Sequence, residues 1–151
     1  PAIWTISENL HITLVFLGYL TGEELGQVCL VAKEISKKHG SFSISLNRIS
    51  YGPADKLPPR MIWINGQRSK ELSFLKNDLE KSLAENINFK PESRAFNSHI
   101  TLARIKTMEW RAIEPEERPE VNETIDITIP VESIEVMESK LKRTGPAYTV
   151  I

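Results

Sequence analysis

The pattern Asn-x-His-Ile-Thr-Leu occurs twice in this chain, from Asn9 to Leu14 and from Asn97 to Leu102, and it contains two of the three histidines. Residues two apart on a β-strand point to the same face, about 6.5–7 Å apart along it. The His and Thr of each copy should therefore share one face, with the intervening Ile on the other. Two such strands side by side would bring two imidazoles and two hydroxyls to one cleft. This arrangement suits acid/base chemistry on a small anionic group.

The hydrophobic pattern predicts alternating strands and helices. The first copy lies in a predicted strand from Leu10 to Leu17, in which apolar residues fill one face. Thr21 and Glu24 then have the spacing of a capping box, which predicts a helix from there to about His39. Further along, the pattern predicts strands over residues 41–50 and 61–65, a helix from about Ser69 to Asn86, the second His-Ile-Thr-Leu strand, and strands over 124–129, 131–137 and 148–151.

Each half of the chain thus offers one His-Ile-Thr-Leu strand and one amphipathic helix, and 88 residues separate His11 from His99. That period is too long for a solenoid and suits a duplicated lobe. We therefore predict an α+β fold with two pseudo-symmetric lobes of antiparallel sheet, helices on the outside, and a central cleft carrying the two His-x-Thr strands. With 151 residues and 40% hydrophobic content, residues 1–151 are expected to form a single two-lobed domain.

Composition narrows the class of protein. The single cysteine, Cys29, lies among apolar residues of the first predicted helix and has no disulfide partner, which favours a core position and a reducing compartment. No apolar run approaches the roughly 18 residues of a membrane span, so we expect a cytoplasmic protein. The net charge of -1 is uneven, because residues 107–126 carry seven carboxylates and two arginines. The modestly basic remainder allows a phosphate-bearing ligand but argues against broad binding of duplex nucleic acid.

The residues around both copies resemble the paired His-x-Thr-x motifs of the two-histidine phosphoesterase superfamily. The matching stretches are residues 8–18 (Glu-Asn-Leu-His-Ile-Thr-Leu-x-Phe-Leu-Gly) and residues 94–104 (Arg-x-Phe-x-x-His-Ile-Thr-Leu-Ala-Arg). Within the superfamily, the chain is most similar to the LigT-like RNA 2′,3′-cyclic phosphodiesterases, historically called 2′-5′ RNA ligases. Further similarity at residues 60–63 (Arg-Met-Ile-Trp) and 139–148 extends the resemblance over nearly the whole chain.

Two features depart from the family pattern. Family members usually have a strand and a helix before the tryptophan that corresponds to Trp4, so we expect this first βα unit to be missing here. Ser98 stands where the family generally has proline directly before the histidine. Because proline restricts the backbone, serine is expected to leave the approach to the second strand looser.

The resemblance implies that His11 and His99 are the catalytic pair and that Thr13 and Thr101 donate hydrogen bonds to the phosphate. The implied reaction opens an RNA or nucleoside 2′,3′-cyclic phosphate to a 2′-phosphate. Because the reference pKa of an imidazole is about 6.5, one ring can act as general base while the other acts as general acid near neutral pH. No metal or cofactor is implied. The expected partners are RNA ends or nucleotides with the cyclic phosphate, with no membrane among them, and the protein is expected to be a monomer. Either histidine could be the base.

Two further residues are candidate substrate contacts. Arg104 is the next phosphate ligand that the resemblance implies, but strict strand alternation places it on the face opposite His99. It would reach the cleft only if the strand bends or ends there. Phe96 could stack on a base, although an aromatic residue next to a buried strand also suits the core.

Less specific interpretations remain open. A histidine on an apolar strand can be a buried structural residue, but two copies in equivalent places make this less attractive. Zinc would need a third ligand, which neither copy of the motif supplies. A domain of the same fold could also bind a nucleotide or an RNA end without turnover. We expect the three tryptophans to be packing residues first and nucleotide-stacking residues only second: Trp4, Trp63 and Trp110. We expect His39 to lie on the surface at the end of a helix.

Overall fold

The computed structural model describes all residues from 1 to 151. The chain divides into two compact units: the first comprises residues 1–13, 45–68 and 97–129, and the second comprises residues 14–44, 69–96 and 130–151. The α+β class and the antiparallel strand pairing that the sequence predicts are confirmed. Both copies of the His-Ile-Thr motif lie in the first unit, whereas both long helices lie in the second. A simple duplication would give each unit one motif and one long helix, whereas here one unit has both motifs and the other has both helices.

The first unit holds most of a five-stranded sheet, which consists of β1 (Ala2–Trp4), β2 (Phe42–Gly52), β3 (Met61–Gly66), β4 (His99–Ile105) and β5 (Asn122–Val131). The strand order is β1-β4-β3-β2-β5. Strand β4 pairs with both β1 and β3, and β3 pairs with β2, in each case antiparallel. The predicted strands at residues 41–50 and 61–65 and the second His-Ile-Thr-Leu strand are confirmed.

The two faces of this sheet differ in polarity, because directly opposed residues of neighbouring strands share a face. On one face, Ile100 of β4 is opposite Ile64 of β3, which in turn is opposite Ile49 of β2. Ile100 and Ala103 are buried. On the other face, the residues opposed in the same way are polar or aromatic. We call this second face the polar face; its members include His99, Thr101, Trp63, Asn65, Arg48 and Ser50.

The second unit is built around helices α1 (Gly22–Lys37) and α2 (Lys70–Asn86). The predicted capping box is present, since the Thr21 hydroxyl accepts from the Glu24 N–H at 3.2 Å and the Glu24 carboxylate accepts from the Thr21 N–H at 2.9 Å. Ser69 caps α2 through the N–H of Leu72. The leucine stripe of α2 packs against α1 in a buried cluster made of Val28, Val31, Ile35, Leu75, Leu79 and Leu83.

The end of the chain adds a hairpin to the second unit. Strands β6 (Met137–Lys142) and β7 (Gly145–Val150) pair antiparallel in a two-stranded sheet. The sequence was expected to form strands over 131–137 and 148–151, and the first of these predictions is wrong. Residues 132–136 are irregular, and Ile134 and Val136 pack against the helical cluster instead. Their apolar character therefore reflects packing on helices and not a β-ladder.

The predicted strand from Leu10 to Leu17 is also wrong. The segment follows a single turn of 3-10 helix (Ser7–Asn9) and meets the sheet only at one isolated bridge, between Ile12 and Ile100. Beyond the bridge, Leu14, Val15 and Leu17 pack against the helical cluster. The apolar residues of this segment are thus partly buried by side-chain packing, without further strand pairing.

Two other local predictions need correction. His39, expected on the surface, has a side chain only 18% exposed and lies 2.7 Å from Asp78 of α2 through Nε2. Ser98, expected to loosen the approach to β4, is buried, and its carbonyl accepts from the Gly66 N–H at 2.9 Å. A Cβ on Gly66 would lie 2.3 Å from the Ser98 hydroxyl, so glycine is required for this close approach.

The acidic stretch between β4 and β5 is folded. It contains a short helix, α3 (Thr107–Arg111), and a turn of 3-10 helix (Pro115–Glu117). Trp110 of α3 is buried beneath the guanidinium of Arg118, which lies 4.3 Å from its ring centroid. None of the helices combines the length and the apolar character that crossing a membrane would require.

Candidate active site

The single bridge between Ile12 and Ile100 sets the geometry of the two motifs. In an antiparallel pair the register runs in opposite directions, so His11 is placed opposite Thr101, and Thr13 opposite His99. Opposed residues have Cβ atoms about 4.5–5.5 Å apart and diagonal neighbours about 7–8 Å apart. The two isoleucines point to the apolar face, so the two histidines and the two threonines share the polar face. One bridge is therefore enough to bring the four motif side chains together.

Both histidines are oriented by the same local contact. His11 Nδ1 lies 2.6 Å from the carbonyl oxygen of Asn9, and His99 Nδ1 lies 2.8 Å from the carbonyl oxygen of Asn97. A carbonyl oxygen can only accept a hydrogen bond, so Nδ1 carries a proton in each ring. In the neutral form of each ring, the lone pair is then at Nε2. The Asn-x-His spacing of the repeat was the sequence signal for this contact, although it is the backbone of the asparagine that accepts.

Trp63 of β3 is a site residue that the sequence suggested mainly as packing. Its indole stacks on the imidazole of His99, with ring centroids 3.7 Å apart and planes inclined by 18°. Gly52 of β2 allows this arrangement, because a Cβ there would lie 2.1 Å from the indole. The indole N–H is buried without a hydrogen-bond partner. The position of Trp63 is therefore explained by the stacking of its ring and not by a hydrogen bond. The plane of His99 is thus fixed by Trp63 and its rotation by the Asn97 carbonyl.

Arg104 lies on the polar face after all. Trp63 is opposite Thr101, but Ile62 is opposite Ala103 and Met61 is opposite Arg104, so β4 contains one extra residue at Leu102. This β-bulge shifts the alternation and turns Arg104 to the face that carries Thr101. The Thr101 hydroxyl lies 3.9 Å from the sulfur of Met61, as the shared face requires. Arg104 therefore shares the face of Thr101, which strict strand alternation did not predict, and its contact with phosphate stays a prediction.

Phe96 belongs to the second unit, in the segment that precedes β4. The ammonium of Lys76 lies 5.0 Å from its ring centroid. Lys76 is itself buried and donates to the Leu14 carbonyl at 2.8 Å and to Glu80 at 2.7 Å. One face of the Phe96 ring thus has a cationic neighbour within the second unit, and stacking of this ring on a base stays a prediction.

The chemistry of the site is that of two imidazoles, two hydroxyls and one guanidinium on the same sheet face. No group of three His, Cys, Asp or Glu side chains is arranged to hold a metal ion. A scan against models of protein families matches residues 2–63 and 64–148 to the LigT like phosphoesterase family. The chain is a LigT-like phosphoesterase. This assignment confirms the resemblance that the two motifs suggested.

Two relatives with names of the same kind are similar over almost the whole chain. A protein of Thermotoga maritima named RNA 2′,3′-cyclic phosphodiesterase is 28% identical over 153 residues, covering 99% of this chain and 77% of its own length. A protein of Aeropyrum pernix with the same name is 30% identical over 149 residues, covering 95% of this chain and 80% of its own length. Both relatives are thus named as RNA 2′,3′-cyclic phosphodiesterases.

Two solved structures support the fold. The crystal structure of TT0787 of Thermus thermophilus superposes with a TM-score of 0.82 at 26% identity, covering 99% of this chain and 79% of that one. The structure of LigT of E. coli in complex with 3'-AMP superposes with a TM-score of 0.64 at 25% identity, covering 98% of this chain and 77% of that one. The LigT-like fold therefore extends over nearly all of the present chain.

Proposed function

We propose that this protein hydrolyses RNA or nucleoside 2′,3′-cyclic phosphates to 2′-phosphates, with His11 and His99 as general acid and general base. The observation that carries the proposal is the bridge between Ile12 and Ile100, since it brings both His-Thr pairs to one face of the sheet. The names of the related proteins supply the substrate class. The matching hydrogen bonds at Nδ1 of the two rings support equivalent roles for them.

The reaction needs two proton transfers at opposite ends of an in-line displacement. One imidazole, neutral at Nε2, takes a proton from water as the water oxygen attacks phosphorus. The bond from phosphorus to O3′ breaks, and the second imidazole, protonated at Nε2, gives its proton to that oxygen. The products are a 2′-phosphate and a 3′-hydroxyl, and each ring ends in the protonation state in which the other began. The diagonal placement of the rings suits attack and departure on different sides of phosphorus.

Charge on the phosphate oxygens would be met by the remaining polar side chains. Thr13 and Thr101 each stand beside a histidine and can donate a hydroxyl hydrogen to a non-bridging oxygen. Arg104, turned to the same face by the bulge at Leu102, adds a positive charge that can bind two oxygens at once. These three groups do for the phosphoryl oxygens what a metal ion does in other phosphodiesterases, so the proposed reaction proceeds without metal.

The test is turnover of a 2′,3′-cyclic nucleotide in the presence of EDTA. Ring opening to the 2′-phosphate should continue unchanged, and kcat/KM should fall at both low and high pH, because one imidazole must be neutral and the other protonated. Activity that EDTA abolishes and zinc or manganese restores would favour a metal mechanism. Affinity for the nucleotide without any ring opening would favour the alternative, a binding domain of the same fold.

A further inference from the structure

A polar groove opens on the first unit where β2, the end of β3 and β5 meet. It has a volume of about 630 Å³. Arg48 is the only basic residue that lines it and Asp126 the only acidic one. The other lining residues are mostly uncharged and polar: Ser45, Asn47, Gln67, Asn122 and Thr124, together with Leu46 and Ile125.

One residue of the groove, Arg48, shares a sheet face with His99. His99 is directly opposite Asn65, and Asn65 is directly opposite Arg48, so the three side chains form one row across β4, β3 and β2. Two strand spacings, about 9–10 Å, separate the backbones at the two ends of this row. The Asn65 amide donates to the Ser50 hydroxyl at 2.8 Å, which keeps the surface between them polar. A ligand held at His99 could therefore extend into the groove without crossing an apolar barrier.

The guanidinium of Arg48 is positioned but not neutralised. Its Nε donates to the side-chain oxygen of Asn122 at 2.7 Å, and the residue is exposed. The two terminal amino groups have no partner in the protein, and Arg48 forms no ion pair. A guanidinium held in one plane with two donors available matches a phosphodiester, which can accept both hydrogen bonds.

We propose that this groove binds the RNA strand on the 5′ side of the cyclic phosphate, with Arg48 contacting a phosphodiester one or two nucleotides from the end. The inference rests on the proposed function. In a terminal 2′,3′-cyclic phosphate both O2′ and O3′ of the last sugar are occupied by the ring, so the strand can continue only through its 5′ oxygen. The ligand of the groove is thus a short single-stranded oligoribonucleotide, and the enzyme prefers it to a mononucleotide.

The test compares kcat/KM for a mononucleoside 2′,3′-cyclic phosphate with kcat/KM for a trinucleotide that ends in the same group. Arg48→Met should lower the trinucleotide value about tenfold or more, as expected for loss of a charge-assisted hydrogen bond, and leave the mononucleotide value within about twofold. Arg48→Lys keeps the positive charge but not the paired donors of the guanidinium. Its kcat/KM for the trinucleotide should lie between the values for the wild type and for Arg48→Met. Arg143→Met, which removes the same charge from the exposed turn between β6 and β7, is the matched control and should change neither value.

An equal loss on both substrates, or no loss on either, would overturn the proposal. If the wild-type protein opens neither substrate, the proposed function fails and the groove is tested by binding alone, with a labelled trinucleotide that carries a 3′-phosphate. Arg48→Met should then weaken binding about tenfold and reduce the dependence of log K on log salt by about 0.7, the value for one phosphate of a single strand. Unchanged affinity would reject the groove as the binding site.

Discussion

The two copies of Asn-x-His-Ile-Thr-Leu have nearly the same residues but different backbone structures. The second copy forms β4 and pairs with neighbours on both sides, whereas the first meets the sheet at Ile12 alone. In both, however, the histidine Nδ1 bonds to the carbonyl two residues before it. The comparison shows that the orientation of the ring is encoded within the motif, while strand pairing depends on which neighbours are available.

The largest effect should come from removing either imidazole. Because each ring performs one of two required proton transfers, His11→Ala and His99→Ala should each lower kcat about 10²–10⁴-fold on a 2′,3′-cyclic nucleotide. His39→Ala removes the third histidine and should leave kcat unchanged. A loss below about tenfold in both motif variants would overturn the assignment of His11 and His99 as the acid/base pair.

The hydroxyls offer the next test of equivalence. Thr13→Val and Thr101→Val keep the shape of the side chain and remove one phosphate donor each. We expect each to lower kcat by about 10–100-fold, somewhat less than loss of an oxyanion-hole donor in a dry site. Steady-state kinetics of both variants with the same substrate would measure the two values of kcat. A loss confined to one variant would mean that only one copy contacts the transferred phosphoryl group.

Changes at Trp63 should affect the second copy of the motif and not the first, because Trp63 stacks on His99. Trp63→Leu removes the flat surface and should lower kcat about tenfold, through misplacement of the ring, with little change in KM. Trp63→Phe should restore most of the loss. The stacked indole should also shift the ring-proton NMR signals of His99 upfield, and this shift should disappear in the leucine variant. Trp4→Leu, at a tryptophan 66% exposed, serves as the control; unchanged His99 signals in Trp63→Leu would contradict the stacking.

The smallest effect concerns stability. Ile100 is only 9% exposed and lies within the ladder, while Ile12 is half-buried at a single bridge. Ile100→Val should therefore lower the free energy of unfolding by about 1 kcal/mol, and Ile12→Val by clearly less. Urea denaturation of the two variants would measure the difference. Equal losses would mean that the first copy is packed as firmly as the second.

Much of this fold is predictable because its determinants are local. The capping residues Thr21 and Ser69 mark the starts of both long helices, and the leucine periodicity of α2 identifies its buried side. The strand error at residues 10–17 arose because alternating apolar residues can be buried against helices as well as in a sheet. Local patterns do not reveal which of these partners will be present.

The site was predictable for its histidines and threonines and less so for their surroundings. The orientation of Arg104 depends on one extra residue in β4, which is visible only from the register with β3. The stacking of Trp63 on His99 depends on Gly52 across the neighbouring strand. Both features involve residues far apart in the chain, and no spacing within a single motif indicates them.

The most direct test of the central claim is an NMR titration of the three histidine ring signals with 2′-AMP, the expected product from a cyclic adenosine phosphate. If His11 and His99 belong to one site, their signals should shift together along one saturation curve, and the His39 signal, from the pair with Asp78, should stay in place. A shift of only one motif histidine, or two different saturation curves, would contradict a shared site.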